Sequence, residues 1–474
     1  MRHLTPAAVL ACLALAACAT PRQADVRLPG AFEAPAAPPA TAVALDRWWT
    51  AFGDPELTTL IEQALVANPD ARSAAARLAE VRAQRTGALV QFLPQGGLRA
   101  QARQTETDQL SGTRINIPGF STSGRSEAYS ADFNVSWEVD LFGRAFAARR
   151  TVNAEVAAAR FEYEGARAAL AAQVADAWFQ ARGLAIQLAD ARESARIQRS
   201  LYDLAVRRAQ AGIAATSEPD RISGDLAQSE ARAASLEAEL QVQRRTLLIL
   251  TGRIVEPTAN ISAPPNVGQA PPVPSAIPSE LLARRPDVRE AQARVAAAAG
   301  RQDVAALAFF PTFTLTPGLG WSKTVQPGFS SETQSWSIGG GVTQPLLSIP
   351  RLLAELKAQN ARTEQAVIAY EKAVQTAFAE AEGALVRLDA DRRGAALLTD
   401  GEARAARAYE ASRIGYGRGL TDLQTTLGAE QAWRATRAQL TAAQVQSLRR
   451  TVQAYKALGG GWQAQNYPTQ APAR

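Results

Sequence analysis

The side chains that most often carry out acid–base or metal chemistry in proteins are rare in this sequence and lie near its amino end. The single histidine is His3, and the two cysteines are Cys12 and Cys18. General acid–base catalysis near neutral pH and most transition-metal sites depend on imidazole or thiolate groups. We therefore predict no catalytic residue, no metal site and no cofactor, although a mechanism built on carboxylates or lysine stays open.

The thiol of Cys18 lies in a sequence that predicts covalent modification. A basic start at residues 1–3 precedes an apolar run at 4–15 and the tetrad Leu15-Ala16-Ala17-Cys18. This order is typical of a secretory signal peptide, and the run is too short to span a membrane as a helix. The tetrad resembles the bacterial lipobox, which implies lipidation of the Cys18 thiol, cleavage before this residue and then acylation of its new amino group. An ordinary signal peptide with an incidental cysteine is the alternative.

The distribution of charge argues against nucleic-acid binding. The formal net charge is +6, and a nucleic-acid-binding protein concentrates such an excess on one face. Here arginine alternates with acidic residues along the chain, as at Arg192, Glu193 and Arg196. We therefore predict no nucleic-acid partner.

The sequence contains two similar halves. Asn68-Pro69-Asp70 and Arg285-Pro286-Asp287 each open an Ala- and Arg-rich stretch that ends at a second proline, Pro94 or Pro311. Further residues recur at a constant offset of 207, so that Arg144, Tyr163, Glu164, Tyr202 and Gly212 match Arg351, Tyr370, Glu371, Tyr409 and Gly419. A duplication of this size predicts the order helix, strand, strand, very long helix and helix, repeated once.

Four segments alternate apolar and polar residues as strands do. The clearest is 129–141, where Tyr, Phe, Val and Trp occupy every second position, and weaker examples are 97–103, 312–321 and 335–343. The polar stretches 104–128 and 322–334 are predicted to be hairpin loops. A half-buried soluble sheet gives the same alternation, but the lipobox and the tryptophans near the strand ends favour a membrane.

Four strands are too few to close a membrane barrel, since the smallest known barrels have about eight. Open sheet edges are not tolerated in lipid. Several chains must therefore share one barrel, and the strand count alone does not fix how many.

Two segments, 144–212 and 351–419, are free of proline, rich in Ala, Arg, Glu and Leu, and end in glycine. Each predicts a helix of about 100 Å, and apolar residues at heptad spacing predict close helix packing. Shorter return helices are expected at 220–250 and 422–458, and two further helices at 56–91 and 280–309 are expected to meet them. A coiled-coil spacer is one interpretation, but coupling to membrane hairpins favours a hollow conduit.

These patterns predict six regions. They are a signal peptide at 1–17, a lipidated N-terminus and linker at 18–46, a first repeat at 47–251, an equatorial linker at 252–278, a second repeat at 279–458 and a C-terminal equatorial tail at 459–474.

Several sequence strings resemble the TolC-like outer-membrane factors, in particular the lipoprotein branch that serves resistance-nodulation-division efflux pumps. One is Asp140-Leu141-Phe142-Gly143-Arg144, and the specific ones are Arg284-Arg285-Pro286-Asp287 and Leu458-Gly459-Gly460-Gly461-Trp462. The resemblance implies a mixed α/β membrane protein. It further implies a homotrimer with a twelve-stranded outer-membrane β-barrel, four strands per chain, continued by a periplasmic α-helical coiled-coil barrel. It also implies a periplasmic adaptor and an inner-membrane pump as partners.

The same resemblance points to a gate at the turns around Gly212 and Gly419. Efflux members often carry Arg-Tyr-Arg before the second glycine and Leu-Asp-Ala-Gln after it, whereas this chain has Gly415-Tyr416-Gly417 and Leu427-Gly428-Ala429-Glu430. The charges that would form a salt-bridge latch are thus largely absent from these positions. The remaining candidates for gating or adaptor contact are Tyr416, Arg418, Asp422 and Asp220, with plain helix capping by the two aspartates as the alternative.

The sequence thus predicts a passive exit duct for small amphiphilic compounds, located in the outer membrane and extending into the periplasm. The duct of a type I protein secretion system has the same fold and is one alternative. A lipid-anchored coiled-coil spacer is the other. The sequence does not reveal the substrate, because an inner-membrane partner would select it.

Overall fold

The structure is a computed structural model that describes residues 24–34, 45–108, 110–111, 124–213, 215–274, 278–326 and 328–462. The predicted signal peptide, Cys18 and most of the C-terminal tail lie outside this part. The described backbone divides into two compact units. One comprises residues 79–158 and 292–369, and the other comprises the remainder, so each unit draws on both halves of the sequence.

Each half has the predicted order of elements. The elements are α1 (Pro55–Ala67), α2 (Pro69–Val90), β1 (Gln95–Thr107), β2 (Gly124–Val139), α3 (Arg144–Gln210), α4 (Ser217–Leu250), α5 (Leu281–Arg284), α6 (Pro286–Leu307), β3 (Thr312–Gln326), β4 (Phe329–Thr343), α7 (Ile349–Gly417) and α8 (Leu423–Ala457).

The expectation of a single helix over 56–91 is wrong, because the chain breaks between α1 and α2. Asn68 is extended, with ψ near 132°, and its side chain accepts a hydrogen bond from the Asp70 amide at 2.8 Å. Pro69 disfavours a helical conformation at the residue before it and cannot donate a backbone hydrogen bond. The equivalent Pro286 separates α5 from α6 in the second half, so 280–309 is also interrupted.

The four strands form one antiparallel sheet in the order β1-β2-β3-β4. They are longer than predicted, with 13 to 16 residues each. Much of the predicted hairpin loops, including 104–107 and 322–326, therefore continues the hydrogen-bond ladder. Backbone pairing does not require apolar side chains, so loss of the alternating pattern did not mark where the strands end.

The register of the sheet separates an apolar from a polar face. One row of directly paired residues crosses all four strands, and its side chains are exposed: Leu98, Phe133, Leu319 and Trp336. The neighbouring row projects from the opposite face and consists of Gly97, Asn134, Gly318 and Ser337. Since adjacent residues of a strand point to opposite faces, the first face is apolar and the second polar.

The motif Asp140-Leu141-Phe142-Gly143-Arg144 follows β2, and capping of α3 explains its residues. The Asp140 carboxylate accepts hydrogen bonds at 2.8 Å from the amides of Gly143, Arg144 and Ala145. Gly143 adopts φ +84°, a conformation that side chains other than glycine rarely reach. In the second half Pro350 lies in the first turn of α7, where a missing amide proton leaves no helical bond unmade.

The two long helices have 67 and 69 residues, close to the predicted lengths. Their neighbours α4 and α8 have 34 and 35 residues. In the larger unit, alanine and aliphatic side chains of α3 at the predicted heptad positions are buried, among them Leu170, Val174, Ala177, Ala181 and Leu188. Within the described part of the chain, no helix combines the length and apolar character needed to cross a membrane.

A buried ionic network fixes the start of the first half in the larger unit. The Asp54 carboxylate caps α1 through the Leu57 amide and accepts hydrogen bonds from the Trp178 indole at 2.9 Å and the Arg182 guanidinium at 2.6 Å. Arg182 also donates to the carbonyl of Asn266 at 2.7 Å. One aspartate thereby links α1, α3 and the segment before the second half.

Candidate functional site at the helix turns

The two long helices end in turns with the same geometry. Gly212 and Gly419 have φ values of +70° and +75°. The amide of the next residue bonds back into the helix in each case, from Ile213 to the Arg208 carbonyl at 3.0 Å and from Leu420 to the Gly415 carbonyl at 2.8 Å. This is the Schellman arrangement, which satisfies terminal carbonyls and favours glycine at its left-handed position.

The two turns lie side by side in the larger unit. A small hydrophobic cluster draws on four helices, and we call it the tip core: Ala205, Ile222, Tyr416, Leu423 and Leu427, with Leu201, Tyr202 and Leu204 packed against it. The tip core is much smaller than the main cluster of the same unit. Packing at the turns therefore rests on few apolar contacts.

Tyr416 belongs to the tip core and is only 6% exposed. The Arg208 guanidinium lies over its ring, 5.0 Å from the ring centroid. Such a cation–π contact adds about 0.5–2 kcal/mol depending on desolvation. The sequence nominated Tyr416 for gating or adaptor contact, and within one chain this side chain joins the turn of α7 to the end of α3.

The three charged candidates are exposed and form no ion pair with one another among the described residues. Asp422 is the N-cap of α8, where its carboxylate accepts the Thr425 amide at 2.6 Å. That backbone hydrogen bond lowers the pKa of Asp422. Asp220 is not a cap, because α4 begins earlier, at Ser217, and the aspartate lies in its first turn. Arg418 lies in the turn just before Gly419.

The structure explains why glycine occupies position 415. A Cβ atom on Gly415 would lie 2.7 Å from the Thr421 hydroxyl, closer than real Cβ contacts. That hydroxyl donates to the Ser412 carbonyl at 3.0 Å and closes the turn. An arginine at position 415 would displace this contact, so the turn of this chain is built without it.

Sequence reasoning did not identify Glu430 as a site residue. Its side chain is 1% exposed and accepts a hydrogen bond from Arg434, while its Oε2 atom has no partner among the described residues. Burial raises the pKa of Glu430, and Arg434 opposes this only in part. The sequence places a glutamate here, but helix periodicity alone did not show that it points inward.

A pair of stacked aromatic rings lies near Glu430. The rings of Tyr409 and Trp433 stack with centroids 5.2 Å apart, and the Trp433 indole donates to Glu402 at 2.8 Å. Among the described residues, no group of three or more His, Cys, Asp and Glu side chains is placed to hold a metal ion. The arrangement is suited to holding helices together.

Comparison with known proteins gives consistent matches over both halves. The family described as outer membrane efflux protein matches residues 60–253 and 277–460. The chain is 31% identical over 463 residues to the pyoverdine export outer membrane protein OpmQ of Pseudomonas putida, covering 95% of this chain and 96% of the relative. It is 27% identical to the cation efflux system protein CusC of Escherichia coli, covering 88% of each.

Solved structures share the fold over nearly the whole chain. The outer-membrane channel OprN superposes with a TM-score of 0.79 at 27% identity and covers 94% of this chain and 100% of its own. The open state of the MtrE outer membrane channel of Neisseria gonorrhoeae gives a TM-score of 0.80 at 23% identity, covering 95% and 99% of the two chains. The predicted fold class is thereby confirmed.

Proposed function

The chain belongs to the outer membrane efflux protein family, and from this we propose that it forms the outer-membrane channel of a tripartite efflux system. The observation that carries the proposal is the two-faced sheet, with the exposed row Leu98, Phe133, Leu319 and Trp336 on one face. An apolar face towards lipid and a polar face towards water is the pattern of a transmembrane channel wall.

The proposed channel is a homotrimer. Within the described residues β1 and β4 each pair on one side only, so both outer strands present unpaired backbone groups. Lipid does not tolerate such edges, and joining β4 of one chain to β1 of the next removes them. Three chains of four strands give a twelve-stranded barrel, which falls within the range of known membrane barrels.

The turns offer a docking surface for a periplasmic adaptor, and through it for an inner-membrane pump of the resistance-nodulation-division class. The residue after a Schellman glycine usually packs against its own helix. Here those residues, Ile213 and Leu420, are 68% and 78% exposed. An adaptor with apolar side chains at the matching positions would cover both.

The proposed attachment to the outer membrane includes three acyl chains on Cys18, which together give durable anchoring. The first described segment, residues 24–34, supports a tether that is held at one end. Its backbone donates from Asp25 to Glu371 at 2.8 Å and from Ala34 to Glu382 at 2.9 Å, and Phe32 stacks on Phe378. Residues 25–34 are thereby held against α7.

The proposed duct is passive and carries small amphiphilic compounds that its pump selects. We expect the purified full-length lipoprotein to migrate as a trimer by native mass spectrometry and to give stepwise conductance in planar bilayers. A monomer without conductance would contradict the channel and would favour the coiled-coil spacer.

Opening is proposed to occur at the turns, by rotation of the paired helices about heptad contacts while the barrel stays fixed. Cysteines introduced as Arg418→Cys and Asp422→Cys should cross-link neighbouring subunits and block export. The control is Ser337→Cys, which lies on the sheet rather than at the turns and shows whether the cross-linking treatment by itself impairs export. Unimpaired export by a fully cross-linked protein would refute opening at this position.

A further inference from the structure

The tip core is separated from the main hydrophobic cluster by an interval with polar interior positions. On α3 the main cluster ends at Leu188 and the tip core begins at Leu201. Along α8, the buried residues between Leu427 and Val445 are Glu430 and Thr441, both polar. Among the described residues, the Tyr409–Trp433 stack and the buried Ala191 remain as apolar packing in this interval, so few apolar contacts tie the turns to the rest of the unit.

Hydrogen bonds fill part of this polar interval. The Ser229 hydroxyl of α4 donates to the Gln198 side-chain carbonyl of α3 at 2.7 Å, and Ser194 lies 3.2 Å from the same hydroxyl. Such bonds depend on direction, so a small relative rotation of the helices breaks them, whereas apolar contacts tolerate sliding. The helices can therefore move relative to one another more easily in this interval, residues 189–200 of α3 and 428–444 of α8, and we call it the joint.

Glu430 is the most deeply buried charged group at this joint. It lies one helical turn from Thr426, which is fully buried and donates to the Ser412 carbonyl at 3.3 Å. Since α8 rises about 1.5 Å per residue, Glu430 is about 12 Å from its N-cap, Asp422. Glu430 therefore lies within about two helical turns of the start of α8, on the same helix as the tip-core residues Leu423 and Leu427.

The charged and titratable groups that act on Glu430 come from three helices, and a fourth helix is linked to it through Arg434. Arg434 is one turn away on α8, Asp225 acts from α4 and Tyr409 from α7. On α3, Glu193 is influenced by Arg434. Among the described residues that act on Glu430, Arg434 favours the ionised carboxylate and Asp225 opposes it, and Arg434 also acts on Glu193.

We propose that Glu430 is a proton-sensitive latch, which keeps the turns packed when it is protonated and loosens them when it is ionised. The unpartnered Oε2 atom is the site where the proton binds. The effect on conductance rests on the proposed channel function, whereas the effect on packing does not.

The direction of the pH effect follows from burial. The pKa of Glu430 is raised in the packed turns, chiefly because the buried carboxylate loses hydration. The packed state therefore holds the proton more tightly than a loosened state, in which the pKa is about 4.3. Acidification through the interval between the raised and the ordinary pKa stabilises packing, and raising the pH through it favours loosening.

The test is amide hydrogen exchange on the full-length protein between pH 4.5 and 7.5, corrected for intrinsic rates, followed in residues 201–213 and 412–430. Because one proton is linked, the opening constant should rise by up to about tenfold per pH unit within the window. Glu430→Gln should remove this dependence and keep the turns protected throughout. Glu410→Gln, which neutralises an exposed carboxylate on α7, should leave it unchanged.

Two results would overturn the latch. One is an identical pH profile in Glu430→Gln and the unchanged protein, and the other is loss of the profile in Glu410→Gln. If Glu430→Gln does not fold, Arg434→Gln gives an independent test, because removing the cation should move the transition to higher pH; an unmoved transition contradicts the proposal. A conductance in planar bilayers that rises with pH would extend the result to gating. Absence of any conductance at every pH would contradict the proposed channel function and leave the latch unaffected.

Discussion

Replacing Ile338 by arginine should impair insertion of the sheet into the membrane. Ile338 pairs with Pro317 on β3 and projects from the apolar face, where it is 67% exposed. On β3 the apolar band runs from Phe313 to Trp321, which spans about 27 Å at 3.4 Å per residue. With a strand tilt of about 40°, the band is about 21 Å high, close to the 25 Å expected of membrane barrels.

Position 338 lies opposite the middle of that band, so the substituted arginine would be near the bilayer midplane. The cost there is about 2–4 kcal/mol for each chain, or about 30- to 700-fold in the folding equilibrium, and about 6–12 kcal/mol for a trimer. Nearer the membrane surface the cost would fall towards zero. The size of the effect therefore reports both the face and the depth of Ile338.

The matched control is Ser337→Arg, one residue away on the opposite face of the same strand. Both variants introduce the same side chain at adjacent positions of β4, and the difference in strand propensity between the replaced Ile and Ser is at most about 1 kcal/mol, below the expected membrane cost. Urea unfolding in lipid vesicles should show the loss for Ile338→Arg and a change below about 1 kcal/mol for Ser337→Arg. Equal stability of the two variants, or greater damage from Ser337→Arg, would refute the assignment of the faces.

Three other changes have distinct expected outcomes. Asp54→Ala should destabilise the larger unit by about 3–5 kcal/mol in denaturant unfolding, because Arg182 is left buried without its partner, whereas the exposed Glu56→Ala should change little. Tyr416→Ala should remove about 3–5 kcal/mol of packing from the tip core and raise the open probability in planar bilayers; an unchanged open probability would exclude Tyr416 from gating. Cys18→Ser should abolish incorporation of radiolabelled palmitate, and retained labelling would exclude Cys18 as the acylated residue.

The order of elements could be predicted because duplication and periodicity are properties of the sequence. The constant offset between Gly212 and Gly419 placed both helix ends, and the structure has two equivalent turns there. The alternation at 129–141 fixed which residues share a face, since side chains alternate along any strand. Strand ends and the break at Asn68 were missed, because they depend on pairing and on a local proline effect.

The candidate site was only partly accessible from the sequence. Asp422 was correctly identified as a possible cap, because capping is a local interaction within a few residues. The same expectation for Asp220 was wrong, because α4 starts three residues earlier, at Ser217. The inward orientation of Glu430 and the contact of Arg208 with Tyr416 depend on residues far apart in the chain.

The sequence by itself determined the repeated architecture, the lengths of the long helices and the two faces of the strands, because each follows from spacing along the chain. Only the tertiary structure decided which turns lie together, that Tyr416 is packed inside the tip core, and that polar residues separate this core from the main cluster. Those properties arise where four helices meet. The burial of Glu430, and hence its raised pKa, is set by neighbours that the sequence does not place.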